Sequence, residues 1–141
     1  MALLNRIYGE STKNVRIYNL WFHTVWLILC IGHITGSLVI DLPNTFEPRI
    51  NNLIWLLMAC IATSIVSLYA EDFSKKRVIY KYISLLLGSL VEFILGYKYA
   101  TAYPPLTPMV VIALFVGFWF LGGALYVKRE SGVKVDVGVN N

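Results

Sequence analysis

The chain has 141 residues, of which 57% are hydrophobic, 14% aromatic and only 14% charged, with a formal net charge of +4. A water-soluble domain carries roughly 25% charge, so this composition belongs to a chain whose solvent is mostly lipid. It excludes a disordered regulator, a collagen-like fibre and a disulfide-rich secreted scaffold, and the length leaves no room for a separate soluble catalytic domain.

Residues 1–17 come first. Leu3, Leu4, Ile7 and Tyr8 recur at helical spacing among Asn5, Arg6 and Glu10, which predicts either a short helix in the membrane interface or a partly ordered cytoplasmic tail. A bilayer core of roughly 30 Å is crossed by about 20 apolar residues in a helix. Four stretches reach that length, at about 18–40, 51–70, 78–97 and 106–127. The first ends at the turn cluster Asp41-Leu42-Pro43-Asn44, and Thr45 with Pro48 prepares the second. Its basic start resembles a signal peptide, but its apolar run is too long and lacks a small-x-small cleavage site, so the span is expected to stay attached. Ser74 is the expected cap of the third span. Thr107-Pro108 opens the fourth after a loop kept extended by Pro104-Pro105. The predicted fold is all-α: a polytopic membrane protein with four transmembrane helices in one bundle.

The basic residues orient that bundle. Arg6, Lys13, Arg16, Lys75, Lys76, Arg77, Lys81, Lys128, Arg129 and Lys134 fall on one side, and only Arg49 and Lys98 on the other. The positive-inside rule then places both termini and the middle loop in the cytoplasm. Tyr18, Trp21, Tyr69, Tyr80, Tyr82 and Tyr126 mark the inner boundary, and Trp55, Tyr97, Tyr99 and Tyr103 the outer one. The membrane expected is the bacterial inner membrane, with the mitochondrial inner membrane fitting the same physics. The tail, 128–141, alternates Val133, Val135, Val137 and Val139 with Lys134, Asp136 and Gly138. That is the pattern of a strand seeking a partner edge, set against a flexible tail.

Ionisable groups inside a bilayer are costly, so each is a functional candidate. Glu92 is the one deep acid, about 21 Å from a start at residue 78, and His33 lies about 22 Å from a start at residue 18. Equal depth makes a His33–Glu92 pair the expected titratable centre, an ion- or proton-binding or gating site. His23 is expected only at the interface. His23, Trp26, Cys30, His33 and Ser37 share one face of the first span by 3-4-3-4 spacing. Cys60, Thr63, Ser64 and Ser67 share a face of the second. Ser84, Gly88, Glu92 and Gly96 repeat every four residues in the third. Gly32, Gly36, Gly88 and Gly96 are the expected helix-packing positions. The hydroxyls and glycines fit plain interhelical packing, whereas a lone buried carboxylate is expensive for packing alone.

Other chemistry finds little support. The two histidines are ten residues apart on one helix, about 15 Å, too far for one chain to hold a haem between them. No C-x-x-C or H-E-x-x-H spacing calls for a metal, no phosphate loop or nucleophile elbow is present, and no basic run calls for nucleic acid. Cys30 and Cys60 read as packing residues. The expected protein is non-enzymatic and without cofactor: an oligomeric channel, pore or small transporter. Its alternative is an accessory or regulatory subunit docking onto a larger membrane complex. The partners expected are the lipid bilayer and either further copies of the chain or that complex.

Overall fold

The computed structural model describes residues 2–8, 12–38, 50–73 and 78–139. Among them run five helices: α1 (Ala2–Tyr8), α2 (Lys13–Thr35), α3 (Ile50–Phe73), α4 (Val78–Thr101) and α5 (Thr107–Val139). Four of these, α2 to α5, are long and apolar enough to cross a membrane. The expected breaks at Asp41–Pro48 and the Ser74 cap lie outside the described residues.

The four long helices alternate in direction, so the basic residues of α2, α4 and α5 gather at one end of the bundle, here the basic end. The surface agrees with a lipid solvent. Large apolar side chains such as Ile28, Trp55, Val111, Phe115 and Phe118 point outward, Phe115 with 72% of its surface exposed. In water such a girdle would drive aggregation, and in hydrocarbon it costs nothing.

The boundaries differ from the sequence reading in two places that matter. The first helix begins at Lys13, not 18, because the Thr12 carbonyl accepts the Arg16 N–H at 3.0 Å and starts the ladder among polar residues. It ends five residues earlier, at Thr35, and is capped by Gly36, whose φ of 69° lies in the left-handed region that glycine enters without strain. The expected Gly32-x-x-x-Gly36 packing face is therefore not formed. Gly36 terminates the helix, and Gly32 leaves the room into which Leu38 folds back. At the other end of the chain, α5 continues through Val139. At 33 residues it is about 50 Å long, well beyond one bilayer core. The alternating valines thus belong to a helix and form no strand.

Packing is most extensive between α4 and α5, where small residues let the backbones approach. Gly96 lies against Ala113, and Gly117 lies under Phe93 and the Glu92 side chain. Gly96 and Gly88 are both helix contacts, Gly96 toward α5 and Gly88 toward α2. Two apolar clusters form. One, at the end away from the basic residues, joins α2, α3 and α4 through Cys30, Leu53, Leu57, Cys60, Val91, Leu95 and Tyr99. The other, at the basic end, joins α4 and α5 to α1 through Leu85, Val116, Phe120, Ala124, Val127 and Tyr8. The short α1 is tied down by the Tyr8 hydroxyl, which donates to the Trp119 carbonyl at 2.5 Å. Tyr8 also stacks on Tyr126 with ring centres 5.8 Å apart. Leu3 and Ile7 on α1 remain exposed.

Candidate functional site

Between the two apolar clusters, α2, α3 and α4 enclose polar side chains that belong to no apolar core. Arg16, Asn19, His23, Ser64, Ser67, Ser84 and Glu92 are all buried, and Arg16, Asn19 and His23 have no exposed surface. On α2 they follow from spacing: 16, 19, 23, 26 and 30 fall on one face of a 3.6-residue helix. Hydrogen bonds link them across the helices. The Arg16 guanidinium donates to the Ser67 carbonyl at 3.0 Å and to its hydroxyl at 3.4 Å. Ser67 Oγ donates to the Ser64 carbonyl at 2.8 Å. The Asn19 amide donates to Ser64 Oγ at 3.1 Å and to the Ser84 carbonyl at 2.8 Å, tying α2 to both neighbours. This close approach requires Gly88: a Cβ there would stand 2.1 Å from Asn19 Oδ1.

The string ends where a histidine meets a carboxyl group. His23 Nε2 lies 3.2 Å from Glu92 Oε1, with both side chains out of solvent. The other ring nitrogen, Nδ1, is 2.7 Å from the Asn19 carbonyl oxygen. A carbonyl can only accept, so Nδ1 carries a hydrogen and the neutral ring would turn a lone pair toward Glu92. The 3.2 Å contact is then attractive only when a further proton is shared between imidazole and carboxyl. It resides on the ring opposite a carboxylate, or on the carboxyl opposite a neutral ring. Without it, two electron-rich groups face each other where no water screens them. His23 Nε2 faces Glu92 at ion-pair distance but makes no hydrogen bond of ordinary geometry.

Cys60 Sγ lies 3.7 Å from His23 Nδ1 and 3.6 Å from Asn19 Oδ1. A thiol beside an imidazole suggests nucleophilic chemistry, but the Nδ1 hydrogen is already directed at the Asn19 carbonyl, so that nitrogen is not placed to take the thiol proton. Among the described residues no cluster of three or more His, Cys, Asp or Glu is placed to hold a metal ion.

The sequence-predicted residues are placed as follows. Glu92 is buried within the bundle, as its depth in α4 suggests. Its histidine partner is His23, however, and not His33. His33 sits in the last turn of α2, half-buried, about 15 Å further along the axis. The five-residue shift in the start of α2, about 7.5 Å along the axis, accounts for about half of the difference in level that the sequence reading gives. It lowers His23 from the interface toward the level of Glu92 and carries His33 toward the far end. The sequence reading does not place Arg16 and Asn19 in the interior, where the structure buries both. The 3-4-3-4 spacing that picks out His23, Trp26 and Cys30 also runs backward through them and was the available signal.

No family model, curated protein or solved structure matches this chain. Fold and site define a small multi-pass membrane protein: a bundle of four membrane-spanning helices with a hydrogen-bonded polar interior and one buried His–Glu pair.

Proposed function

We propose that this protein is a permeation protein, a channel or small transporter, in which the His23–Glu92 pair binds and releases a proton as its gating or coupling event. The observation that carries this reading is the 3.2 Å contact between two buried ionisable groups inside a membrane-spanning bundle. Such groups are costly in a bilayer and are ordinarily retained for ion or proton handling. A proton shared between the two groups turns their contact from repulsive to attractive, which favours a proton as the bound species. When the proton leaves, the contact turns repulsive, and separation of α2 from α4 is the expected structural response.

The positive-inside distribution supports a basic end that faces the cytoplasm. The polar string lies within one chain, so a homo-oligomer would multiply the site without being needed to complete it.

The test is proton flux. Purified protein in sealed vesicles, with a pH gradient and a pH-sensitive dye trapped inside, should dissipate the gradient faster than protein-free vesicles. Glu92→Gln and His23→Gln should remove the excess rate while the helical fold is retained by circular dichroism. Wild-type flux equal to that of empty vesicles, or unchanged flux in Glu92→Gln, would overturn the reading. Native mass spectrometry of the gently extracted complex addresses assembly: copies of this chain alone accord with a permeation protein, and a different protein carried along favours the accessory-subunit alternative.

A further inference from the structure

We infer that in this conformation the proton held by His23 and Glu92 exchanges with water on the basic side of the membrane only, and that the apolar cluster on the other side is a closed gate that must open for flux. The inference rests on the proton-binding reading and adds its direction. On the basic side of the pair, the α2–α3–α4 interior is built of hydrogen-bonding groups: Asn19, Ser64, Ser67 and Arg16 lie in successive turns and bond to one another at 2.8–3.4 Å. Polar groups at that spacing stabilise water that enters between them and offer a route for a proton. On the other side the same three helices contribute Cys30, Leu53, Leu57, Leu95 and Tyr99, each at most 5% exposed. Burial is the same on both sides, since Arg16, Asn19, Ser64 and Ser67 are as fully enclosed as Leu57 and Cys30, and the difference lies in the chemistry of the lining. A charged species crossing that layer has no partner, and an isolated charge in apolar surroundings is strongly disfavoured.

The charged and titratable groups around the pair are consistent with one-sided access. Helix α2 contributes Arg16 and Cys30, α3 contributes Cys60, and α4 contributes Tyr99. Helix α5 packs against the pair with Gly117 and Phe120, which do not titrate. Arg16 stands on the basic side with its guanidinium engaged by Ser67. Cys30 and Tyr99 lie in the apolar layer, where ionising either would add a second buried charge. While the apolar layer stays closed, a proton that leaves the pair for water at the basic end returns by the same path, and transmembrane flux requires that layer to open.

The experiment is a one-sided pH jump. Full-length protein is inserted in vesicles and sorted for a single orientation by capture of its C-terminus. The pH is then changed on one face while infrared difference spectra follow the bands that Glu92→Gln and His23→Gln each remove. Those bands should respond to a jump on the basic face at least roughly tenfold faster than to one on the opposite face. Leu57→Asn, which places a hydrogen-bonding group in the apolar layer, should bring the two rates together. Leu95→Asn serves as a second variant should the first not fold. Equal rates in the wild type, or a faster response from the opposite face, would overturn one-sided access while leaving the proton site intact. Bands that respond to neither face would remove the proton-binding reading itself, and the direction of access with it.

Discussion

The interior shared by α2, α3 and α4 is filled by two kinds of chemistry. Toward the basic end it is polar, with Arg16, Asn19, Ser64 and Ser67 held by directed bonds, up to the His23–Glu92 contact. Beyond that level it is apolar, with Cys30, Leu53, Leu57, Leu95 and Tyr99 in contact. The same three helices, packed by the same geometry, therefore resist perturbation differently. The apolar half is held by dispersion and shape, which degrade in proportion to the volume removed. The polar half is held by complementarity between specific atoms, and deleting one member leaves another stranded.

The largest expected effect follows from that difference. His23→Leu leaves Glu92 buried without its proton partner, and breaking one side of a buried pair costs about 3–5 kcal/mol. Unfolding titrations in mixed micelles should show that loss. The double variant His23→Leu/Glu92→Leu should recover most of it, because nothing is then stranded. If the two losses simply add, the groups are not coupled and the contrast between the halves loses its centre. In the apolar half, Leu57→Ala is expected to cost about 2–5 kcal/mol through the cavity it leaves, with no rescue by a neighbouring truncation. A partner change that restored stability there would blur the distinction between shape and directed bonding.

A third prediction probes the seam between α2 and α4. Gly88→Leu must displace the Asn19 side chain, since even a Cβ would lie 2.1 Å from Oδ1. Overpacking of this kind costs about 1–3 kcal/mol. The displaced amide also gives up its bonds to Ser64 and Ser84, so proton-linked spectral changes at His23 should shift as well. Unchanged stability in the same titration would mean that α2 and α4 do not approach as closely as the Asn19 bonds require.

Lipid thickness explains what was legible in the sequence. Four runs of about twenty apolar residues separated by charged or proline-containing breaks leave little choice of fold. Glu92 was conspicuous for the same reason, being the one acid deep in such a run. The partner was harder to read, because pairing across helices depends on where each begins to within a turn. Hydropathy sees only the apolar part of α2, from about 18 onward, while the helix starts among Lys13, Asn14 and Arg16, whose backbone bonds do not require apolar side chains. Arg16 was legible as a topology signal and hidden as an interior donor, because a basic residue at a span's edge serves either role. Gly36 is ambiguous in sequence because a glycine four residues after another fits a packing face as well as a helix end, and only the left-handed φ distinguishes them.

The smallest effect concerns α1, which Tyr8 ties to the bundle. Tyr8→Phe removes the hydroxyl that donates to the Trp119 carbonyl but keeps the ring stacked on Tyr126, so a cost of about 0.5–1.5 kcal/mol is expected. Burial raises the Tyr8 phenol above its usual value of 10.0. A pKa raised on folding means that the folded state holds the proton more tightly than the unfolded one. The contribution of this hydroxyl is thus fully present below pH 10 and is lost as the pH climbs through the raised folded value, where ionisation also removes the donated hydrogen. Proteolysis within residues 9–11, followed as a function of pH, reads the docking of α1 directly. Wild-type protein should become more susceptible as the phenol ionises, and Tyr8→Phe should be moderately susceptible at every pH with no such rise. A pH-dependent rise that persists in Tyr8→Phe would assign the attachment of α1 to some other group, and the hydroxyl that Gly122 leaves room for would lose its role as the latch.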